Sequence, residues 1–399
     1  MAAKRALIAI SGGVDSSVAA LLARDAGYDC TAAMLMLFDD AEIAAAGFND
    51  AEYGAGDSGG GVECGAGDGV REASFVRALD AGSVDDVSAG YANASDAEYA
   101  RDVAHRLGIS LEILDFRNDF ENCVINPFVA SYLSGATPNP CVACNSGIKF
   151  GQLIDYATIN GFDLLVTGHY ARIDRDSVSG RYILKKGIDP DKDQSYVLYK
   201  LTQRQLGFIK FPLGGMHKTA VRELAARHGF PNAKRRDSQD VCFIGGGSYA
   251  DFIEKRVGKP LEDGPIVDDT GNNIGTHKNA VRYTIGQRKG LGLAWSEPLY
   301  VYAKSIAENK IFVGPESMLY KKSLIARDIN FIPFHSIAGS LAVTAKTRYR
   351  QPEQEAVVRQ TSDDEVHVEF LAPQRAIAAG QSVVFYDGEI VIGGGIIAL

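Results

Sequence analysis

The chain has 399 residues, 46% hydrophobic and 23% charged, long enough for two or three domains and ordinary for a folded globular protein. The apolar run in its start, MAAKRALIAISGG, is too short for a signal peptide or a membrane span, which argues against a membrane partner and for a cytoplasmic protein with reduced thiols. The net charge of −9 is unevenly placed: Asp39 to Asp96 carries 13 acidic residues against only Arg71 and Arg77, so the near-neutral remainder is free to bind RNA through basic patches.

Residues 5–39 read as strand, loop, helix, strand: ALIAI is a buried-strand run, SGGVDSS a turn, VAALLARDA a helix closed by Gly27, and YDCTAAMLML the next strand. Residues 41–95 are rich in Gly, Ala and Asp, with 11 glycines from Gly47 to Gly90 and no sustained periodicity, and read as an insertion. The rhythm resumes with helix DAEYARDVAHRLG, strand SLEILDF, helix IKFGQLIDYATING, strand FDLLVTGHYA and helix TAVRELAARHG. Strands alternating with helices predict a parallel sheet covered on both faces. From about residue 247 short strand-like pieces take over. The last stretch, SLAVTAKTRYR to QSVVFYDGEIVIGG, alternates apolar and polar residues with a tight turn at Asp387-Gly388, as in a small β-barrel.

Several stretches carry chemistry. SGGVDSS lies between a strand and a helix, where backbone N–H groups and the helix dipole cradle an anion. Gly12 and Gly13 admit a phosphate, Ser16 and Ser17 offer hydroxyls, and Asp15 is placed to hold a magnesium ion. The stretch lacks the Gly-Lys-Ser/Thr of a Walker loop; the bland alternative is a glycine turn with Ser and Asp caps. TGHY (Thr167 to Tyr170) ends a later strand, where His169 is either a buried structural histidine or a ligand-facing one.

TPNPCVACN sets Cys141 and Cys144 behind a rigid Pro-Asn-Pro. A zinc ribbon needs a second such pair, and Cys30, Cys64, Cys123 and Cys242 stand singly; a thioredoxin-like pair follows a strand directly. Zinc half-site, redox pair and other sulfur chemistry all stay open at this point. Lys234, Arg235 and Arg236 precede Cys242, and nearby positive charge favours a thiolate, against the commoner inert buried cysteine. KTRYR, continued as a strand, would align Lys346, Arg348 and Arg350 on one face for successive phosphates, with Tyr349 free to stack, and GQRKGLG adds a basic glycine loop.

SGGVDSS resembles the PP-loop of the ATP pyrophosphatases. The ordered set SGGVDSS, TPNPCVACN, TGHY, DKDQSY, DSQDVCFI, GQRKGLG, KTRYRQ and GQSVVFYDGE is similar to the bacterial tRNA-specific 2-thiouridylases across nearly the whole chain. The resemblance implies an α/β fold: a parallel-sheet PP-loop (adenine nucleotide alpha hydrolase-like) catalytic domain at 1–246 with the acidic insertion at about 41–95. A small, mostly-β central domain at 247–318 and a C-terminal, tRNA-binding β-barrel at 319–399 follow.

It also implies the reaction. ATP, with Mg2+, would lie on Ala9, Ile10, Ser11, Gly12, Gly13, Val14, Asp15 and Ser16, with Leu35 and Gly168 beside it, and adenylate the C2 oxygen of the wobble uridine. Cys242 matches the cysteine that receives persulfide sulfur from a cysteine desulfurase or sulfur-relay protein, and Cys144 the second catalytic cysteine, which forms a disulfide with it. Asn139, Pro140 and Cys141 match positions at the target base; His169, Asp193, Gln194, Ser195, Arg348, Tyr349 and Gln381 match tRNA contacts. DNA is not an expected partner. Family members carry an aspartate where this chain has Cys141, which brings in a second scheme: Cys141, Cys144 and Cys242 holding a [4Fe-4S] cluster with one open iron. A PP-loop ligase amidating a small metabolite would have no use for Cys144 and Cys242, and a plain ATP- or RNA-binding module leaves the thiols unexplained.

Overall fold

The computed structural model describes residues 2–38, 78–79, 94–235, 237, 241–244 and 247–398. Most of the expected insertion, together with Arg236, lies outside the described residues.

The N-terminal region is built on strands β1 (Arg5–Ala9), β2 (Asp29–Met36), β3 (Ala78–Leu79), β4 (Ser110–Asp115) and β5 (Leu164–Val166), then a hairpin of β6 (Ala171–Arg175) and β7 (Tyr182–Lys186), and last β8 (Ile209–Lys210). The sheet order is β3-β4-β2-β1-β5-β8, parallel except for β3. Side chains of β1 alternate as a strand buried on both faces must. Leu7 joins one core with Phe120, Phe128, Ile148, Phe150 and Leu153, whereas Ala6 and Ile8 join another with Val14, Val18, Leu21, Val103 and Val221. Helices cover both faces, as predicted. Helix Val14–Asp25 ends where expected: Gly27 takes φ +84°, and the Gly27 and Tyr28 N–H groups donate to the Arg24 and Ala23 carbonyls.

Two sequence-predicted elements are split. FDLLVTGHYA is not one strand; β5 stops at Val166, and Thr167–Tyr170 form a loop before β6. The predicted helix IKFGQLIDYATING is a π-helix, Cys144–Gln152, running into an α-helix, Leu153–Ile159.

In the small central sheet, β9 (Gly264–Val267), β10 (Asn273–His277), β11 (Tyr300–Ser305) and β12 (Lys310–Gly314) are ordered β10-β9-β12-β11 over Ile266, Tyr283, Val301, Ile311 and Val313. The last six strands are β13 (Tyr320–Phe331), β14 (Ser340–Lys346), β15 (Gln354–Ser362), β16 (Glu365–Arg375), β17 (Ser382–Asp387) and β18 (Ile390–Ala398). They run antiparallel in the order β13-β16-β15-β14-β17-β18, and β13 pairs back onto β18 to close the barrel. Closure removes the edges that alternating strands would otherwise expose. The tight turn expected at Asp387-Gly388 is formed one residue later, by Gly388 and Glu389, with Asp387 the last residue of β17 and opposite Ile390.

The barrel is docked on the N-terminal region through polar contacts. The β6–β7 hairpin extends its sheet at β18; Tyr196 donates to the Ser382 carbonyl at 2.8 Å, and Gln381 donates to the Thr137 carbonyl at 2.8 Å. Tyr196 is fully buried, so Tyr196→Phe should cost about 1 kcal/mol and lower the melting temperature by about 2 °C, measured by calorimetry; an unchanged transition would show that this bond does not hold the barrel.

Candidate active site

Strands β1 and β5 lie side by side, with Ile8 opposite Val166. The chain's first strand therefore has β2 on one side and β5 on the other, and a crevice opens at their carboxyl ends, the usual ligand site of such sheets. Into it project the loop Ile10–Gly13 and the loop Thr167–Tyr170, so the structure brings SGGVDSS and TGHY together. Their contact is close: a Cβ on Gly168 would sit 2.7 Å from the Asp15 carbonyl carbon and the Ser16 nitrogen. Ala9 ends β1, and Leu35 lies near the carboxyl end of β2, half-buried.

The phosphate loop is held by its own hydroxyls. The Ser16 and Ser17 hydroxyls donate to the Gly13 carbonyl at 3.0 Å, and the Ser11 N–H donates to Ser16 Oγ at 3.1 Å. Gly12 takes φ +70° with the Asp96 backbone so near that a Cβ would come within 2.5 Å of its carbonyl oxygen. No side chain caps helix Val14–Asp25, so its first N–H groups stay available to an anion. These residues fit a nucleotide phosphate.

Asp15 is more engaged than its sequence context suggested. Lys218 Nζ lies 2.7 Å from both of its oxygens, and the Tyr170 hydroxyl donates to it at 2.8 Å. The carboxylate is thus already matched to an ammonium, which does not suit a metal ligand, and no step is assigned to magnesium at Asp15.

Cys144 packs in the core that holds Leu7, Phe128 and Phe243. Asn139 Oδ1 accepts the Cys141 N–H at 3.2 Å and caps the short helix Pro140–Ala143, which leads directly into the π-helix. Cys144 is buried, and Cys141 and Cys242 are exposed as residues. Phe243 anchors the turn Cys242–Ile244, its ring 5.2 Å from Phe128, 5.4 Å from Phe252 and 5.8 Å from Phe120. Burial pushes the Cys141 and Cys144 thiols up. Burial of the Cys242 thiol, and then the nearby Cys144 and Cys141 sulfurs, push it up to about 12, against the lowering influence of Lys149 and the Phe243 backbone. Cys242 thus has Cys144 and Cys141 for neighbours, and Cys144 has Cys141. Among the described residues, however, no group of three or more His, Cys, Asp or Glu side chains is disposed to hold a metal ion, so the thiols do not fit a preformed cluster site.

Two expectations about these cysteines are corrected. Arg235 does not serve Cys242: it pairs with Asp96 over the Tyr99 ring, and the cation acting on the thiol is Lys149. In an α-helix Lys149, five residues after Cys144, would face away; the wider π-turn returns it to the thiol side. Cys123, read as a single thiol, is disulfide-bonded.

The candidate RNA contacts converge on the junction of the three regions, and most of them also brace it. Asp193 Oδ1 accepts the Gly187 and Ser195 N–H groups, its Oδ2 accepts the hydroxyl of fully buried Ser195, and Gln194 Oε1 accepts the Tyr170 N–H at 2.9 Å. Tyr349 donates to the Asp193 carbonyl at 2.9 Å, and Arg348 donates to the Ile285 and Ala376 carbonyls. His169 is half-buried, its Nδ1 2.7 Å from Thr167 Oγ1 and its ring beside Phe150 and Phe211. Burial, aided by Lys149, lowers it to about 3, so the ring is neutral near pH 7.

The comb of cations predicted on KTRYR is not formed. Strand β14 ends at Lys346, and the chain turns through 347–351, where Thr347 Oγ1 donates to Gln351 Oε1 at 2.7 Å ahead of Pro352. Lys346 and Arg348 are half-buried, leaving Arg350 as the exposed cation of the three. Sequence reasoning missed Lys149, Lys218, Asp237 and Asn232; Asn232 is buried and donates to the Gly12 carbonyl at 2.8 Å and to Ser17 Oγ at 2.9 Å. Position alone carried no signal for them, because each is brought to the site by folding.

Comparison with known proteins covers the whole chain. The family described as tRNA methyl transferase HUP domain matches residues 4–53 and 69–246, leaving 54–68 unmatched. The tRNA methyl transferase PRC-barrel domain matches 250–315, and the aminomethyltransferase beta-barrel domain matches 321–397. The chain is similar to proteins named tRNA-specific 2-thiouridylase MnmA. It is 42% identical to that of Moorella thermoacetica, over 98% of each chain. It is 39% identical to that of Clostridioides difficile, over 99% of this chain and 98% of the relative, and 39% identical to that of Acetivibrio thermocellus over 100% of both.

The raised Cys242 thiol has a direct consequence. It stays protonated at neutral pH, and its thiolate fraction grows as pH rises toward about 12. Alkylation of Cys242 by iodoacetamide, followed by peptide mass spectrometry, should therefore climb about tenfold per pH unit from pH 7 to 10; a plateau near pH 7 would mean an activated thiolate in the resting protein.

Proposed function

Because the chain belongs to the tRNA-specific 2-thiouridylase family, we propose that it uses the two loops of the β1/β5 crevice to activate a tRNA uridine and the thiols beside them to replace its C2 oxygen with sulfur. It is an ATP-dependent sulfurtransferase, a tRNA-uridine 2-sulfurtransferase acting in tRNA modification. What supports the detailed reading is an uncapped, serine-braced helix start at the end of β1, together with a Cys242 thiol that has Cys144 as its neighbour. We divide the labour as 1–246 for catalysis, 247–318 as a central module and 319–399 as the tRNA-binding barrel, in the cytoplasm where tRNA is modified.

In this reading the uridine C2 oxygen attacks the α-phosphorus of ATP and pyrophosphate leaves, with Ser11 to Ser16 and the helix dipole holding the charge that develops. The wobble base sits against Asn139, Pro140 and Cys141. Cys242, loaded as a persulfide by a cysteine desulfurase or a relay protein, presents its terminal sulfur to C2; a C–S bond forms, the C–O bond breaks and AMP departs with the oxygen. The Cys144 thiolate then attacks Cys242 Sγ, the sulfur–sulfur bond breaks toward the base, and a Cys144–Cys242 disulfide remains for a thiol reductant to reopen. Lys149 is the cation beside all three thiols and favours each thiolate as it forms. Neutral His169, packed on Phe150, offers a ring face to RNA in place of a charge.

Serine substitutions separate this scheme from the cluster scheme. Purified without oxygen and assayed for 2-thiouridine, Cys144→Ser and Cys242→Ser should lose activity by about 100-fold or more, whereas Cys141→Ser should stay within about tenfold of the parent and both should be free of iron. A brown parent whose iron and activity vanish together in Cys141→Ser would overturn the persulfide scheme in favour of a three-thiolate cluster.

A further inference from the structure

Lys218 opens helix Lys218–Arg227, outside every motif, and its side chain is 9% exposed. Its ammonium touches two carboxylates from different segments: Asp15 at 2.7 Å on the phosphate loop and Asp237 at 2.8 Å. Its own N–H donates to Asp189 Oδ2 at 2.8 Å, fixing the start of the helix. A charge this buried is held only by good geometry on every side.

Asp237 carries the contact onward. It receives Lys192 Nζ at 2.6 Å and Arg222 Nη2 at 3.0 Å. Burial raises its carboxyl, but the bonds to Lys192 and Lys218 outweigh that and hold it below the usual carboxylate range. Lys192 adjoins Asp193, whose carbonyl accepts the Tyr349 hydroxyl at 2.9 Å. A second, shorter path leaves the same aspartate: the Tyr170 hydroxyl donates to Asp15, and the Tyr170 N–H donates to Gln194 Oε1. The phosphate loop and the segment 193–195 are therefore joined by direct contacts along two routes that both begin at Asp15.

We propose that Lys218 is a positioning residue that couples occupancy of the phosphate loop to the RNA-facing segment, through Asp15, Asp237 and Lys192. The inference rests on the nucleotide and tRNA reading above. A triphosphate on the loop adds negative charge beside Lys218 and stiffens the shared network; the RNA then meets a segment already ordered and loses less conformational freedom on binding. Such coupling is reciprocal, so tRNA tightens nucleotide binding by the same factor.

The test uses the full-length protein, an unmodified tRNA transcript and an ATP analogue with a methylene bridge between the α- and β-phosphates. In the wild type the analogue should tighten tRNA binding about fivefold or more, and tRNA should tighten the analogue equally. Lys218→Met should lower that factor about twofold or more, the path through Tyr170 remaining, while each ligand alone still binds, and Lys218→Arg should restore most of it. If Lys218→Met does not fold, Asp237→Asn, at a less buried site, carries the same expectation. Independent binding of both ligands to the wild type, or a full coupling factor in Lys218→Met or Asp237→Asn, would overturn the inference and leave the functional reading standing. A wild type that binds neither ligand would overturn both.

Discussion

Strands β1 and β5 run parallel in register from Ala6 against Leu164 to Ile8 against Val166, and the proposed nucleotide site hangs from their carboxyl ends. The pairing is possible because both strands are apolar on both sides, Leu7 and Leu165 entering one core and Ala6, Ile8, Leu164 and Val166 the other. It sets the spacing between two loops more than 150 residues apart in sequence. Gly168 then meets the Asp15–Ser16 backbone at a distance that no Cβ tolerates. Weakening that pairing would not merely destabilise the sheet; it would separate the loop proposed to hold phosphate from the loop that faces it.

Charge and local helix geometry divide the remaining work. Around the phosphate loop, Asp15 and Asp237 share the buried Lys218, so the site carries balanced, tightly paired charge and leaves its backbone N–H groups to the substrate. Around the thiols the balance is different. Burial keeps the resting sulfurs protonated, which protects them from indiscriminate reaction. The π-helix brings Lys149 to the same place, so a thiolate formed during transfer finds a cation already there.

Much of this was legible in the sequence because it depends on local pattern. The strand-loop-helix start, the Gly27 cap, the barrel's alternation and a tight turn at Gly388 all follow from periodicity and backbone preference. Cys144 and Cys242, 98 residues apart, were linked only through the family resemblance. What stayed hidden depends on tertiary context. KTRYR has the alternation of a strand, yet the chain turns after Lys346 as the hairpin to β15 begins. Arg235 has the right sequence position to act on Cys242, but Asp96 takes its charge. Lys218 looks like any basic residue at a helix start, and only the packing of its helix against helix Val14–Asp25 brings it to Asp15.

The account stands or falls on whether activation of the base and delivery of sulfur are one coupled reaction of this chain. The most direct measurement is the yield of AMP and of 2-thiouridine when the purified protein meets ATP, a persulfide source and unmodified tRNA. The account predicts AMP release that depends on tRNA and equals 2-thiouridine formed, mole for mole. AMP released at the same rate without tRNA, or with a small-molecule acceptor in its place, would contradict it.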